Sequence, residues 1–161
     1  MGSIDQLRLK RHELNRLAME ILSLMDPQRL ATEITSIRLR LSAYVRKLRV
    51  HLLVQDRFVY ERLLRHSSPA VVAAATEHQR QTHALRDRMT RHAEQWISSD
   101  GAIEALGAQF IEETTTFLDV ASKRLGAEDR ELYPLVNEVC NRSGTWPLDL
   151  LTEGDDESNT I

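Results

Sequence analysis

The stretch from Val71 to Trp96 carries the residue spacing that most limits what this chain can fold into. Inward positions recur there at steps of three and four residues: Val71, Ala75, His78, Thr82, Leu85, Met89, His92 and Trp96. Such steps place one face of an α-helix against a core, whereas a half-buried strand would alternate apolar and polar residues. His78 and His92 therefore occupy positions where a leucine is usual, and His83 falls on the opposite, solvent-facing side.

Three other stretches show the same helical spacing, and short turns separate all four. The predicted helices cover Ser3–Met25, Pro27–His66, Pro69–Ser98 and Ala102–Asn141. Asp26 and Ser68 each precede a proline, an arrangement typical of a helix N-cap followed by its first residue. Four amphipathic helices with short connections predict an all-α, up-down-up-down four-helix bundle over residues 1–143. The acidic residues 144–161 are predicted to form an irregular tail.

The predicted fourth helix carries charged residues on its inward face. Its stripe passes through Leu106 and later through Arg124 and Glu128, which take two successive core positions. Pro134 follows, and a proline in a helix interior leaves the carbonyl four residues earlier without its donor. We therefore expect a kink at about Arg130 to Glu131.

Composition and charge narrow the classes of function. The chain has 161 residues, 42% of them hydrophobic, which is enough for one domain with a real core. A net charge of −3 gives no reason to expect nucleic acid as a partner, and the single cysteine excludes an internal disulfide. No apolar run approaches the length of a membrane span, so a cytoplasmic protein is expected. No catalytic constellation appears, so the sequence does not predict an enzyme.

Residues 51–64, HLLVQDRFVYERLL, are echoed 73 positions later by residues 124–137, RLGAEDRELYPLVN. The identical pairs are Leu52/Leu125, Asp56/Asp129, Arg57/Arg130 and Tyr60/Tyr133. In addition, His51 aligns with Arg124 and Gln55 with Glu128. Each segment therefore presents two polar residues four apart, which stack on one helix face. The aspartates and arginines suggest either surface positions or salt bridges between helices, and the tyrosines suggest rings at the edge of the core with a hydrogen-bonded hydroxyl.

Counting from the turns places the inward polar residues of all four helices in one layer. Its expected members are Arg11, His51, Gln55, His78, Arg124 and Glu128. His78 lies about as far before the third turn as Arg124 lies after it, so these two residues should face each other. Gln55 should lie near His78 and Thr82. Several polar groups in one core layer are costly unless they pair or bind a ligand.

At these residues the chain resembles the hemerythrin-like family of HHE-type four-helix bundles. The resemblance covers roughly residues 5–140. It is carried by His51-Leu52 with Gln55-Asp56, by Glu77-His78, and by the run Glu128-Asp129-Arg130-Glu131-Leu132-Tyr133-Pro134. The family uses His-x-x-x-Glu on its second and fourth helices to hold a di-iron centre. The resemblance therefore implies iron as the cofactor.

Carried over residue by residue, the metal ligands implied are His51, His78, Glu128 and His12, with Gln55 as a neutral substitute. This chain departs from the His-x-x-x-Glu pattern on the second and fourth helices, and Thr82 stands four residues after His78 where some members carry another histidine. Gln55 stands where the second helix should carry an acid, and Arg124 stands where the fourth should carry a histidine. On the first helix His12 is followed by polar residues, so Arg11 is the alternative inward position.

These residues are compatible with three states of the layer. The first is a di-iron centre, and the second is a single divalent ion on His51, His78 and Glu128. The third is a metal-free polar core in which Arg124 pairs with Glu128 and donates to Gln55. Two functions correspond to them. One is an iron-, oxygen- or redox-responsive module. The other is a metal-free regulatory bundle that binds a protein partner. The remaining histidines fit plain roles: His92 in the core, His66 and His83 on the surface. The sequence indicates neither the partner nor the oligomeric state.

Overall fold

The structure is a computed structural model that describes residues 4–143, and every regular element in this range is helical. The elements are α1 Ile4–Leu22, α2 Pro27–Val54, a first π segment Gln55–Tyr60, α3 Glu61–Leu64, α4 Pro69–Trp96, α5 Ala102–Ala105, α6 Gly107–Ala127, a second π segment Glu128–Leu132 and α7 Tyr133–Ser143. The predicted all-α class is confirmed. The acidic tail over 144–161 lies outside the described residues.

The predicted helix starts are confirmed at atomic detail. The carboxylate of Asp26 accepts a hydrogen bond from the Arg29 amide at 2.9 Å, with Pro27 as the first helical residue. Ser68 caps α4 through a longer bond from the Val71 amide, 3.5 Å, and Pro69 follows it. Each cap satisfies an amide that has no partner inside its helix.

The prediction of an unbroken fourth helix was wrong at its start. Leu106 has φ −127° and ψ 44° and separates α5 from α6, and its side chain is 49% exposed instead of inward. Gly107 follows the break directly, and a Cβ there would lie 3.1 Å from the Leu30 side chain. The chain therefore approaches α2 closely at this glycine, and the break still lets Ile103 and Phe110 on either side point into the core.

The second predicted helix is also irregular, in two places. Glu33 departs from helical angles, with φ −121° and ψ 25°, and bends α2 near its start. The Thr32 hydroxyl donates to the Gln28 carbonyl at 3.1 Å, a side-chain bond that often accompanies a bend. Further along, the helix passes through the first π segment before α3.

The apolar core falls into two clusters with a polar layer between them. The larger cluster includes Leu52, Leu85 and Leu125, and the smaller includes Val59, Ala75 and Leu132. α1 packs against α2, and α4 packs against both α2 and α6. Six of the eight buried polar residues in the described range lie at or next to the boundary between the two clusters: His51, Gln55, His78, Thr82, Arg124 and Glu128. The other two, His92 and Thr114, lie within the larger cluster.

Candidate functional site

The two π segments begin at equivalent positions of the repeat, Gln55 and Glu128. At the second segment the amide of Tyr133 donates to the carbonyl of Glu128, five residues back. Pro134 has no amide hydrogen, so the ordinary helical bond to the Arg130 carbonyl is already missing at this point. No proline lies in the first π segment. Because π turns cluster at functional sites, their recurrence marks this layer as the candidate site.

Glu128 is the centre of the layer, and its side chain is fully buried. One carboxylate oxygen, Oε1, accepts from the Thr82 hydroxyl at 3.0 Å and from the Arg124 Nε at 3.4 Å. The other, Oε2, accepts from the Gln55 amide at 2.6 Å. A buried carboxylate needs such donors because it has lost its water shell. Three helical elements thus converge on one acid.

Arg124 supplies the positive charge in the layer. Besides Nε on Glu128, its guanidinium contacts the Oε1 of Gln81 and the Nδ1 of His78. The other nitrogen of His78, Nε2, lies 3.3 Å from the Glu131 carboxylate. Arg124 therefore faces His78, as predicted. Its predicted bond to Gln55 is not among the contacts of the described residues, and Gln81 takes that role.

Gln55 joins the carboxylate to the histidine on its own helix. Its Nε2 lies 3.2 Å from the His51 Nε2 and 3.3 Å from the Tyr133 hydroxyl. Its Oε1 is buried and has no partner among the described residues. The side-chain nitrogen of Gln55 therefore has three polar neighbours, whereas its oxygen has none among the described residues. A buried acceptor without a hydrogen bond lowers the folding stability.

Burial controls the charge states of the layer. Desolvation lowers the pKa of His51 to about 4, so its imidazole is neutral at pH 7. Desolvation and the nearby Arg124 guanidinium lower the pKa of His78 as well. The pKa of Glu128 is raised, because the loss of solvent outweighs the lowering by Gln55, Arg124 and Thr82. The layer therefore holds neutral imidazoles around one acid and one permanent cation.

Comparison with family models, with curated proteins and with solved structures found no match to this chain. The hemerythrin-like resemblance therefore rests on the residues quoted above and stays a prediction. Within the described range, no helix combines the length and apolarity that crossing a membrane requires.

Four of the five residues expected as ligands enter the layer: His51, Gln55, His78 and Glu128. His12 does not, since its side chain is exposed on α1. Arg11, which was expected in the layer, also lies outside it. It is half-buried and pairs with Asp129 instead of entering the layer.

The sequence reading missed some members of the layer and understated others. Tyr60 and Tyr133 were expected at the core edge, yet both are fully buried, and the Tyr60 hydroxyl lies 2.9 Å from Thr82. The occurrence of a tyrosine at the same position in both halves of the repeat could have indicated that the two side chains are buried. Gln81 was missed because it falls on an exposed position of α4 beside Thr82, where periodicity indicates no role.

The repeated aspartates form ties between helices, as predicted. Asp129 accepts from Arg8 at 2.8 Å and also contacts Arg11, so the second π segment is joined to α1. Asp56 lies 2.9 Å from the His83 Nε2 and accepts from Gln79 at 3.1 Å, so the first π segment is joined to α4. His83, which was expected to face solvent, is partly exposed and contacts Asp56.

Two other histidines have structural roles. His92 is a core residue, as expected, with its ring stacked on Phe117 at 4.7 Å between centroids and its Nε2 3.1 Å from the Thr114 hydroxyl. His66 was expected on the surface. Its Nδ1 instead accepts from the Ser68 amide at 3.0 Å inside the turn before α4.

The donor set of the layer does not fit a di-iron centre. Across the described residues, no group of three or more His, Cys, Asp or Glu side chains is arranged to hold a metal ion. Both oxygens of Glu128 already accept from protein donors, and a guanidinium lies against one of them. Two iron ions need several anionic or imidazole ligands, whereas Arg124 repels cations. The same bonds that satisfy Glu128 therefore oppose metal binding.

Proposed function

We propose that this protein is a metal-independent, hemerythrin-like four-helix bundle with up-down-up-down topology, serving as a regulatory module that binds a protein partner. In this proposal the contacts of Glu128 with Arg124, Gln55 and Thr82 replace the metal that the resembled family holds. The layer then cross-links the helices and performs no chemistry of its own.

The observation that carries the proposal is that both oxygens of the Glu128 carboxylate already accept from protein donors. Its two oxygens accept from an amide, a hydroxyl and a guanidinium, each from a different place in the chain. Arg124 balances the charge of Glu128, so the buried pair is neutral overall. A metal ion at this carboxylate would have to displace at least one of these donors and lie beside a fixed positive charge.

The test is iron loading under anaerobic conditions, comparing the wild type with the double variant Gln55→Glu, Arg124→His. The variant restores His-x-x-x-Glu on both helices of the repeat. We expect the wild type to retain less than about a tenth of an equivalent of iron, and the variant to retain clearly more. Arg88→His, on an exposed position of α4, is the matched control for an added histidine. Near-stoichiometric iron in the wild type, with an oxo-bridge absorption band after oxygen is added, would overturn the proposal.

An iron- or oxygen-responsive module is the second candidate, and two observations favour it. The Oε1 of Gln55 is buried without a partner, and His51 is neutral at pH 7 as a metal ligand must be. This candidate requires Arg124 to leave Glu128 when the ion binds. The same iron-loading measurement separates the two candidates, because they predict opposite results for the wild type.

A further inference from the structure

A groove of about 490 Å³ runs between α4 and α6, and its lining is strongly basic. Five cationic side chains line it: Arg80, Arg88, Arg91, Lys123 and Arg124. The other lining residues are uncharged, and no carboxylate is among them: Gln81, Ala84, Leu85, Val120 and Ala127. The side chain of Arg124 is 6% exposed and forms the buried end of this set. The groove therefore presents positive charge over an uncharged floor.

Two of the five cations have no acidic partner in the described part of the chain. Arg80 is paired with Glu77 through bonds of 3.0 and 2.6 Å, and Lys123 lies 2.9 Å from Asp119. Arg88 and Arg91, one helical turn apart on α4, form no ion pair with a described carboxylate. Unpaired like charges so close together repel each other, so an anion between them would be stabilising.

The shape of the groove suits an extended peptide. From Arg80 to Arg91 the α4 axis rises about 16 Å, and five residues of extended chain span about the same length. The groove is open to solvent along this length, as a bound chain segment requires.

We propose that the acidic segment Glu153–Glu157 of this chain occupies the groove. The segment reads EGDDE, so four carboxylates fall within five residues. Ser143 is the last described residue. Along a helix, Ser143 lies about 28 Å from Arg124, and the ten residues onward to Glu153 reach about 33 Å when extended. The acidic segment is thus long enough and near enough to pair with Arg88 and Arg91. This inference rests on the groove and does not depend on the contents of the Glu128 layer.

The test is zero-length carbodiimide cross-linking of the full chain, followed by peptide mapping. The chain has three lysines, at Lys10, Lys47 and Lys123, and only Lys123 lines the groove. We expect carboxylates of residues 153–157 to couple to Lys123 at least about five times more than to Lys10 and Lys47 together, because docking raises their local concentration. At 1 M salt this preference disappears, since the screening length falls to about 3 Å.

Matched variants remove the groove charge without touching the core. Arg88→Gln with Arg91→Gln reduces coupling to Lys123 about five-fold, whereas Arg46→Gln with Arg49→Gln, at exposed positions on α2, leaves it unchanged. A mixture of isotope-labelled and unlabelled protein separates coupling within one chain from coupling between copies. Equal coupling to all three lysines, or coupling only between copies, would overturn the proposal.

Discussion

Gln55 donates to Glu128 over 2.6 Å, although 73 residues separate them and both side chains are fully buried. The two residues are equivalent positions of the repeat, and each begins a π segment. The two halves of the repeat therefore meet across the core at the same position. One half contributes an amide where the other contributes an acid, so the pair can form a hydrogen bond across the core.

Arg124→Met should destabilise the protein by about 3–5 kcal/mol, because it leaves the Glu128 carboxylate buried without its counter-charge. The double variant Arg124→Met, Glu128→Met should recover much of that loss, since an apolar pair needs no desolvation. Urea unfolding of the wild type, the single variants and the double variant measures the coupling free energy. Arg88→Met, exposed on the same face of α4 as the groove, is the control. Additive losses in the cycle would contradict the buried pair.

Gln55→Glu should make stability depend on pH. The new carboxylate would lie against Glu128, so the two would share a proton and their pKa would rise above the unfolded value of about 4.3. A raised carboxyl pKa means that stability is greatest at low pH and falls as pH increases through the shifted range. We expect the variant to be about 2–4 kcal/mol less stable at pH 8 than at pH 5 relative to wild type. Gln55→Met adds no titrating group and should give no such slope.

Acid should weaken the fold through its buried histidines. Burial lowers the pKa of both His51 and His92 to about 4. The unfolded chain takes up these protons near pH 6.5, so the stabilising contribution is complete above that pH and is lost as pH falls toward 4. Each histidine contributes up to about 3 kcal/mol. Glu128, whose pKa is raised, acts in the opposite direction.

The contribution of His92 alone can be measured by comparing the unfolding free energy of His92→Gln with that of the wild type across this pH range. The variant should have a flatter dependence of its unfolding free energy on pH, while His12→Gln, on the exposed side of α1, should follow the wild type. Parallel curves for wild type and His92→Gln would show that folding does not shift the pKa of His92, which would contradict this account.

Gly126→Ala should stabilise the protein by about 0.5–1 kcal/mol, because alanine favours a helix and restricts the unfolded chain. The added Cβ would lie 3.2 Å from the Arg130 guanidinium, the far end of an exposed side chain that can move away. Gly107→Ala is the matched comparison and should not stabilise, since its Cβ would meet the buried Leu30 at 3.1 Å. Thermal unfolding of both variants checks the difference. Equal shifts in Tm would contradict this account.

Much of the fold could be read from spacing, because inward positions on a helix recur every three or four residues. The α4 residues predicted to face inward are nearly all buried, including His78, Thr82 and His92. The same rule failed at Leu106, which periodicity placed in the core. There Leu106 leaves helical angles, and the adjacent Gly107 packs closely against Leu30, a contact between residues far apart in sequence.

The sequence by itself predicted most of the core layer, from polar residues at inward positions of the second, third and fourth predicted helices and from a repeat that aligns Gln55 with Glu128. Only the tertiary structure decided which donor meets which acceptor. Arg124 binds Glu128, His78 and Gln81 instead of Gln55, and Arg11 binds Asp129 outside the layer. The physical reason is that periodicity reports the direction of a side chain from its own helix axis. Pairing depends on the register between helices, which the two π segments shift.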